Sequence, residues 1–130
     1  MSTLMPYLLV GLGGFVGANA RFVVARLVGA AFETTFPLGT FVINISGSFL
    51  LGVLGTLIAH KLMPSSEAMR LALGVGFLGA FTTFSTFEFE TNALLEDGSW
   101  LTATTNMCAS LFVGFLAVRA GIVLAKTWLT

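Results

Sequence analysis

The sequence predicts an all-α membrane protein with four transmembrane helices and a third helix broken near its middle. Four runs contain no Asp, Glu, Lys or Arg, and each approaches or exceeds the roughly 17–25 residues that a helix needs to cross the hydrocarbon core. These runs cover residues 1–20, 38–59, 71–87 and 100–118. The composition agrees, because 56% of the residues are hydrophobic and 9% are charged, whereas soluble domains carry about 25% charged residues.

The helices of this single domain, residues 1–130, are predicted at about 4–28, 38–59, 68–89 and 100–124. Pro37 suits the first turn of the second helix, and Pro64-Ser65-Ser66-Glu67 combines a helix stop with a candidate N-cap. A turn at 97–99 precedes the fourth helix. All three links are short, so neighbouring helices are expected to pack antiparallel.

The distribution of basic residues does not set one orientation in the membrane. An even number of crossings places both termini and the middle loop on one side, with Lys61, Arg70 and Lys126, while Arg26 lies on the other side. This bias is too small for the positive-inside rule to fix the topology. A chain that inserts both ways up, and so forms antiparallel homodimers, is consistent with this pattern.

The third helix contains poor helix formers where the bilayer midplane should fall. Gly74, Gly76 and Gly79 are followed by hydroxyl residues between 82 and 86. A break at this depth frees backbone carbonyls, and irregular backbone within a membrane survives only where it lines a cavity or binds an ion. Free carbonyls attract cations, so the pattern predicts a functional break.

Small and polar residues also recur at helical spacing in the other helices. Gly13 and Gly17 form a GxxxG pair, which usually indicates close helix contact. The second helix carries a small and polar stripe at intervals of four, and helix packing explains most of it. Asn44 fits packing less well, because its amide is costly to bury without partners and its two N–H donors suit an anion. The stripe comprises Thr40, Asn44, Ser48, Gly52 and Thr56.

The composition and the residue spacing argue against several function classes. A net charge of zero gives no basic surface for nucleic acid. His60 and Cys108 have no partners at catalytic or metal-binding spacing, so we do not expect an enzyme. A proton-coupled four-helix antiporter needs a buried carboxylate. No acidic residue lies in the charge-free runs, although Glu90 near a helix end keeps this alternative open. A structural scaffold without ion flux is the third possibility.

Three blocks of sequence carry a more specific pattern: GGFVGANAR at 13–21, GTFVINISGSF at 39–49 and GFLGAFTTFSTF at 76–87. Together, and in this order, they resemble the Fluc (CrcB) family of fluoride channels. The resemblance implies a dual-topology, antiparallel homodimer in the plasma (inner) membrane with two pores and a central Na⁺. It also implies passive export of fluoride, which relieves fluoride toxicity.

The resemblance assigns roles to individual positions. Asn44 matches the pore asparagine, and Phe84 and Phe87 match the two phenylalanines whose ring edges meet the anion. Main-chain carbonyls of Gly79 and Thr82 match those that hold Na⁺, and two copies would supply four hard oxygen donors. The remaining matches are the pore hydroxyls of Thr40 and Ser110, the vestibule arginine Arg21 and the acidic residue Glu90.

The fourth helix departs from the family pattern at two positions. Asn106 stands where many members have Tyr, and Gly114 stands where some have Ser. The polar side of this helix is therefore expected to be lined differently in this chain.

Overall fold

The structure, a computed structural model, describes residues 2–63 and 65–130. Within these residues the chain is helical and contains no β-strand. Four stretches are long and apolar enough to cross a membrane, as predicted. The elements in chain order are α1 (Met5–Ala31), α2 (Leu38–Ala59), α3 (Ser66–Met69), a π-helix (Arg70–Leu78), α4 (Gly79–Phe81), α5 (Phe84–Glu96) and α6 (Trp100–Thr127).

The predicted break in the third crossing is confirmed. This crossing runs from Ser66 to Glu96, and Thr82 and Thr83 in its middle are extended, with ψ angles of 157° and 116°. The break divides the crossing into a first half, α3 to α4, and a second half, α5. The stop predicted at Pro64 lies outside the described residues.

Two features of the helices differ from the prediction. The first, third and fourth crossings extend to Ala31, Glu96 and Thr127, which lie three to seven residues beyond the predicted ends. The nine residues Arg70–Leu78 form a π-helix, which the spacing of apolar residues did not indicate. π-Helical turns are rare and are often found at functional sites.

The GxxxG pair of α1 makes the close contact that its spacing predicts. A Cβ at Gly13 would lie 1.9 Å from the carbonyl oxygen of Ala72, and one at Gly17 would lie 2.1 Å from that of Phe77. No real side chain fits at those distances, so both positions require glycine. The backbones of α1 and the π-helix are thus in direct contact, which holds the first half of the third crossing in place.

A second glycine contact joins α2 to α6. A Cβ at Gly52 would lie 2.4 Å from the carbonyl oxygen of Val118, and one at Gly121 would lie 2.2 Å from that of Phe49. Thr56, one turn after Gly52, is buried and donates its hydroxyl proton to the Gly52 carbonyl at 2.8 Å. This end of the polar stripe therefore serves helix packing, and its other end, at Thr40 and Asn44, faces the broken crossing.

Candidate functional site

Asn44 of α2 holds the break in the third crossing open. Its Nδ2 donates to the carbonyl of Thr83 at 2.9 Å, and its Oδ1 accepts from the N–H of Thr83 at 2.8 Å. The side-chain amide thus satisfies both main-chain groups of a residue that leaves the helical ladder. Buried main-chain groups need such partners. One of the two Asn44 N–H donors is used here, and the other remains for a further acceptor.

The hydroxyl of Thr83 starts the second half of the crossing. Thr83 is the N-cap of α5, and its Oγ1 accepts from the N–H of Thr86 at 3.3 Å. The Thr83 hydroxyl also donates its proton to Oγ1 of Thr86 at 3.0 Å. A threonine at this position is a standard helix start, so the TTFST pattern encodes both the end of one helix and the beginning of the next.

These bonds explain why the carbonyls of Gly79 and Thr82 are released at the break. In a continuous α-helix the Gly79 carbonyl would accept from Thr83 N–H, and the Thr82 carbonyl would accept from Thr86 N–H. Thr83 N–H donates to Asn44 instead, and Thr86 N–H donates to the Thr83 hydroxyl. The oxygens of Gly79 and Thr82 therefore lose their regular helical donors, and both residues line one groove with Asn44.

Phe84 and Phe87 lie side by side immediately after the break. Their ring centroids are 6.0 Å apart with an interplanar angle of 50°, within the range of tilted aromatic pairs. Phe84 is 75% exposed, and it lines the same groove as Asn44, a depression of about 310 Å³. The predicted amide and one predicted ring thus share one surface, and the second ring adjoins it.

A second part of the site lies toward the α1–α2 link. The hydroxyl of Thr40 donates to Oε1 of Glu90 in a very short hydrogen bond. Glu90 and Thr40 border a groove with residues of the link, including Thr34 and Pro37, so the carboxylate lies near the end of the crossings. Arg21 lines the adjacent groove, which Thr40 and Thr83 also border.

The grooves form a connected series along the chain's surface. Thr40 belongs to the groove at the α1–α2 link and to the Arg21 groove, and Thr83 belongs to the Arg21 groove and to the Asn44 groove. The Asn44–Thr83 pair lies where the last two meet. Polar side chains therefore lead from the end of the bundle to the break at mid-span.

Ser110 is arranged differently from the other predicted residues. Its hydroxyl donates to Oδ1 of Asn106 at 3.2 Å, so its single proton is already engaged within the chain. Asn106 is 1% exposed and donates from Nδ2 to Oγ1 of Thr91 at 2.8 Å. Thr91 in turn donates to the carbonyl of Phe87 at 2.7 Å.

This network was not predicted from the sequence, although one signal was present. Antiparallel helices joined by a short turn bring together residues that are equally distant from the turn. Thr91 and Asn106 are equally far from Gly98–Ser99 on its two sides, and so are Phe87 and Ser110. Two polar residues placed in this way within apolar helices predict an interhelical hydrogen bond.

The comparison with known proteins decides the family. The family model described as "CrcB-like protein, Camphor Resistance (CrcB)" matches residues 8–122. The chain belongs to this family. The resemblance read from the three sequence blocks is therefore confirmed.

Three curated relatives of this CrcB family member match it over nearly their whole length. The fluoride-specific ion channel FluC of Acidobacterium capsulatum is 47% identical over 123 residues, which cover 94% of this chain and 97% of the relative. That of Solibacter usitatus is 42% identical over 122 residues, covering 94% and 99%. That of Chlorobium phaeobacteroides is 46% identical over 121 residues, covering 93% of each.

Proposed function

We propose that this CrcB family member is a passive, fluoride-selective ion channel that lets fluoride leave the cell down its gradient. The observation that carries the proposal is the position of the Asn44 amide beside the Phe84–Phe87 pair at a break in mid-span. The relatives named above are fluoride-specific ion channels, and they match this chain over nearly its full length. No enzymatic step is part of the proposal.

The chemistry of these groups suits a small, strongly hydrated anion. Fluoride that sheds water needs hydrogen-bond donors, and Asn44 retains one N–H after bonding Thr83. The edge of an aromatic ring carries positive partial charge, so the rims of Phe84 and Phe87 can receive an anion without an ionised group. Neutral donors bind more weakly than a fixed positive charge, which allows the ion to leave. Arg21, in its groove outside the break, would raise the local anion concentration.

We further propose that two copies associate antiparallel to complete the pathway. Hydrocarbon tolerates irregular backbone only where protein or water covers it. Yet the groove at the break is open on the surface of the single chain, and Phe84 in it is 75% exposed. A second copy would cover this surface. A C-terminal tag should then be accessible from both sides of the membrane in comparable amounts. Accessibility from one side alone would contradict the antiparallel arrangement.

The two released carbonyls also support a Na⁺ site shared by the two copies. Gly79 and Thr82 offer neutral, hard oxygen donors, which suit an alkali cation better than a transition metal. A bound cation would interact with the oxygens that have lost their helical donors. It would also connect the break in one copy to the break in the other. Because a ligand stabilises the state that binds it, the protein should melt at a higher temperature in Na⁺ than in N-methylglucamine of equal ionic strength. Equal melting points would remove Na⁺ from the proposal.

The experiment that tests the pore assignment compares two exposed phenylalanines of α5. Phe84 and Phe89 are 75% and 77% exposed, but only Phe84 lies at the Asn44 groove. In liposomes that contain purified protein, Phe84→Ile should reduce fluoride efflux by about tenfold or more, the rate factor that about 1.4 kcal/mol in a barrier produces. Phe89→Ile should leave efflux close to that of the unmodified chain. Equal effects of the two changes would remove Phe84 from the pathway.

A further inference from the structure

Asn106 is the most deeply buried amide of the described chain, and it lies outside the series of grooves. Two hydrogen bonds connect it to the residue that carries a pore ring, and a third joins it to Ser110. Ser110 donates to Asn106 at 3.2 Å, Asn106 donates to Thr91 at 2.8 Å, and Thr91 donates to the Phe87 carbonyl at 2.7 Å. We call Asn106, Thr91 and the Phe87 carbonyl the α5–α6 relay.

We propose that Asn106 is a positioning residue for Phe87, and that it acts through Thr91 by fixing the rotation of α5. The inference rests on the proposed function, because Phe87 matters for conduction only if fluoride passes its ring. The inference also gives a role to Asn106, a position where this chain departs from the family pattern.

The second half of the third crossing needs external support to hold its orientation. α5 has 13 residues and follows two extended residues, so the helical hydrogen bonds of the first half do not continue into it. Two polar contacts tie it to α2, one from Asn44 to Thr83 and one from Thr40 to Glu90. Both act from the same neighbouring helix. The relay supplies a polar contact from α6, and a helix held from two neighbours cannot rotate about either one.

The central member of the relay is the Thr91 hydroxyl, which takes part in one hydrogen bond as acceptor and in another as donor. Thr91 is buried, its oxygen accepts from Asn106 and its proton goes to the carbonyl four residues earlier. A threonine that bonds back to this carbonyl bends a helix slightly. Here that carbonyl belongs to Phe87, so loss of the hydroxyl removes a main-chain contact at the residue whose ring meets the anion.

The first test is fluoride efflux from liposomes, with variants that separate positioning from stability. Thr91→Val removes the hydroxyl at nearly constant shape and should lower efflux by about five- to tenfold, the factor that corresponds to one hydrogen bond of ordinary strength. Thr91→Ser keeps the hydroxyl and should retain most of the efflux. Equal efflux from these two variants would contradict the proposal.

Thr91→Val leaves the Asn106 amide buried without its acceptor, so a double variant is needed. Replacing both partners of a buried hydrogen bond by apolar groups can be nearly neutral for stability. Asn106→Leu combined with Thr91→Val should therefore melt close to the unmodified protein while its fluoride efflux stays low. Recovery of efflux together with stability would show that the relay only stabilises the fold, and would overturn the proposal.

A spectroscopic readout reports the ring position independently of flux. 4-Fluorophenylalanine in place of Phe87, or in place of the exposed Phe15 of α1 as a control, gives a ¹⁹F resonance in fluoride-free buffer. Thr91→Val and Asn106→Leu should shift or broaden the resonance at 87 and leave that at 15 unchanged. An unchanged resonance at 87 would overturn the proposal.

The two measurements also separate this inference from the proposed function. A protein that carries no fluoride in its unmodified form refutes the channel function, whatever the ¹⁹F spectra show. A protein that conducts fluoride equally well with and without the Thr91 hydroxyl refutes the relay and leaves the channel function standing.

Discussion

The contact between α1 and the π-helix gives a prediction whose magnitude follows from the structure. In Gly17→Ala the new Cβ would lie 2.1 Å from the Phe77 carbonyl oxygen and 2.9 Å from the Phe77 Cα. Both atoms belong to the backbone, so no side-chain rotation relieves the overlap. The two helices must separate by about 1 Å, and such overpacking costs about 1–3 kcal/mol.

A matched variant isolates this steric effect from helix propensity. Alanine is a better helix former than glycine by up to about 1 kcal/mol, and this gain applies to every glycine of α1. A methyl group added at Gly11 would have nothing within 4 Å, and one added at Gly14 would have a single contact at 3.9 Å. Gly11→Ala and Gly14→Ala therefore report propensity alone.

Thermal melting in detergent measures the difference. Gly17→Ala should melt about 3–10 °C below Gly11→Ala, as a destabilisation of about 1–3 kcal/mol predicts for a domain of this size. Fluoride efflux should fall as well, because the displaced π-helix leads directly into Gly79 and the break. If Gly17→Ala melts at the same temperature as Gly11→Ala, the close backbone contact is not present and the reasoning is wrong.

Three further predictions concern the polar residues of the site. Asn44→Asp keeps an acceptor for Thr83 N–H but loses the donor to the Thr83 carbonyl and adds a negative charge. Fluoride efflux should therefore fall by about tenfold or more, and efflux at the unmodified rate would contradict the role of the amide. Arg21→Gln should reduce efflux most at low ionic strength, where a fixed charge acts over the longest distance. The control Arg26→Gln, which removes a charge facing the Phe22 ring, should have little effect. Identical salt dependence of the two variants would argue against a vestibule at Arg21. Efflux should be independent of a pH gradient both in the unmodified protein and in Glu90→Gln, and gradient-driven transport that disappears in Glu90→Gln would instead support a proton-coupled antiporter.

The sequence predicted the architecture well because the membrane imposes strong and simple requirements. Charge-free runs revealed the four crossings, and glycines followed by hydroxyl residues revealed the break at Thr82–Thr83. The contact at Gly13 and Gly17 was also predicted, since that spacing usually indicates close helix contact. Each of these features depends on residues that are neighbours in sequence or lie one helical turn apart.

The features that were not predicted depend on the hydrogen-bond pattern within a helix or on geometry between helices. Apolar spacing does not distinguish the π-helix Arg70–Leu78 from an α-helix over nine residues. The bond from Asn106 to Thr91 joins two helices across a turn, and its existence depends on how they rotate against each other. Similarly, the sequence identified Asn44 as a polar residue in need of partners, but did not show that one N–H and the carbonyl bind Thr83.

Ion flux through the unmodified protein tests the central claim most directly. Purified protein in liposomes loaded with equal concentrations of fluoride and chloride, with no pH gradient and no added energy source, should release fluoride rapidly and retain chloride. Release of both anions at similar rates would contradict the selectivity that we assign to the Asn44 amide and the phenylalanine rings. Retention of both would show that the chain does not form a channel and would favour a structural role.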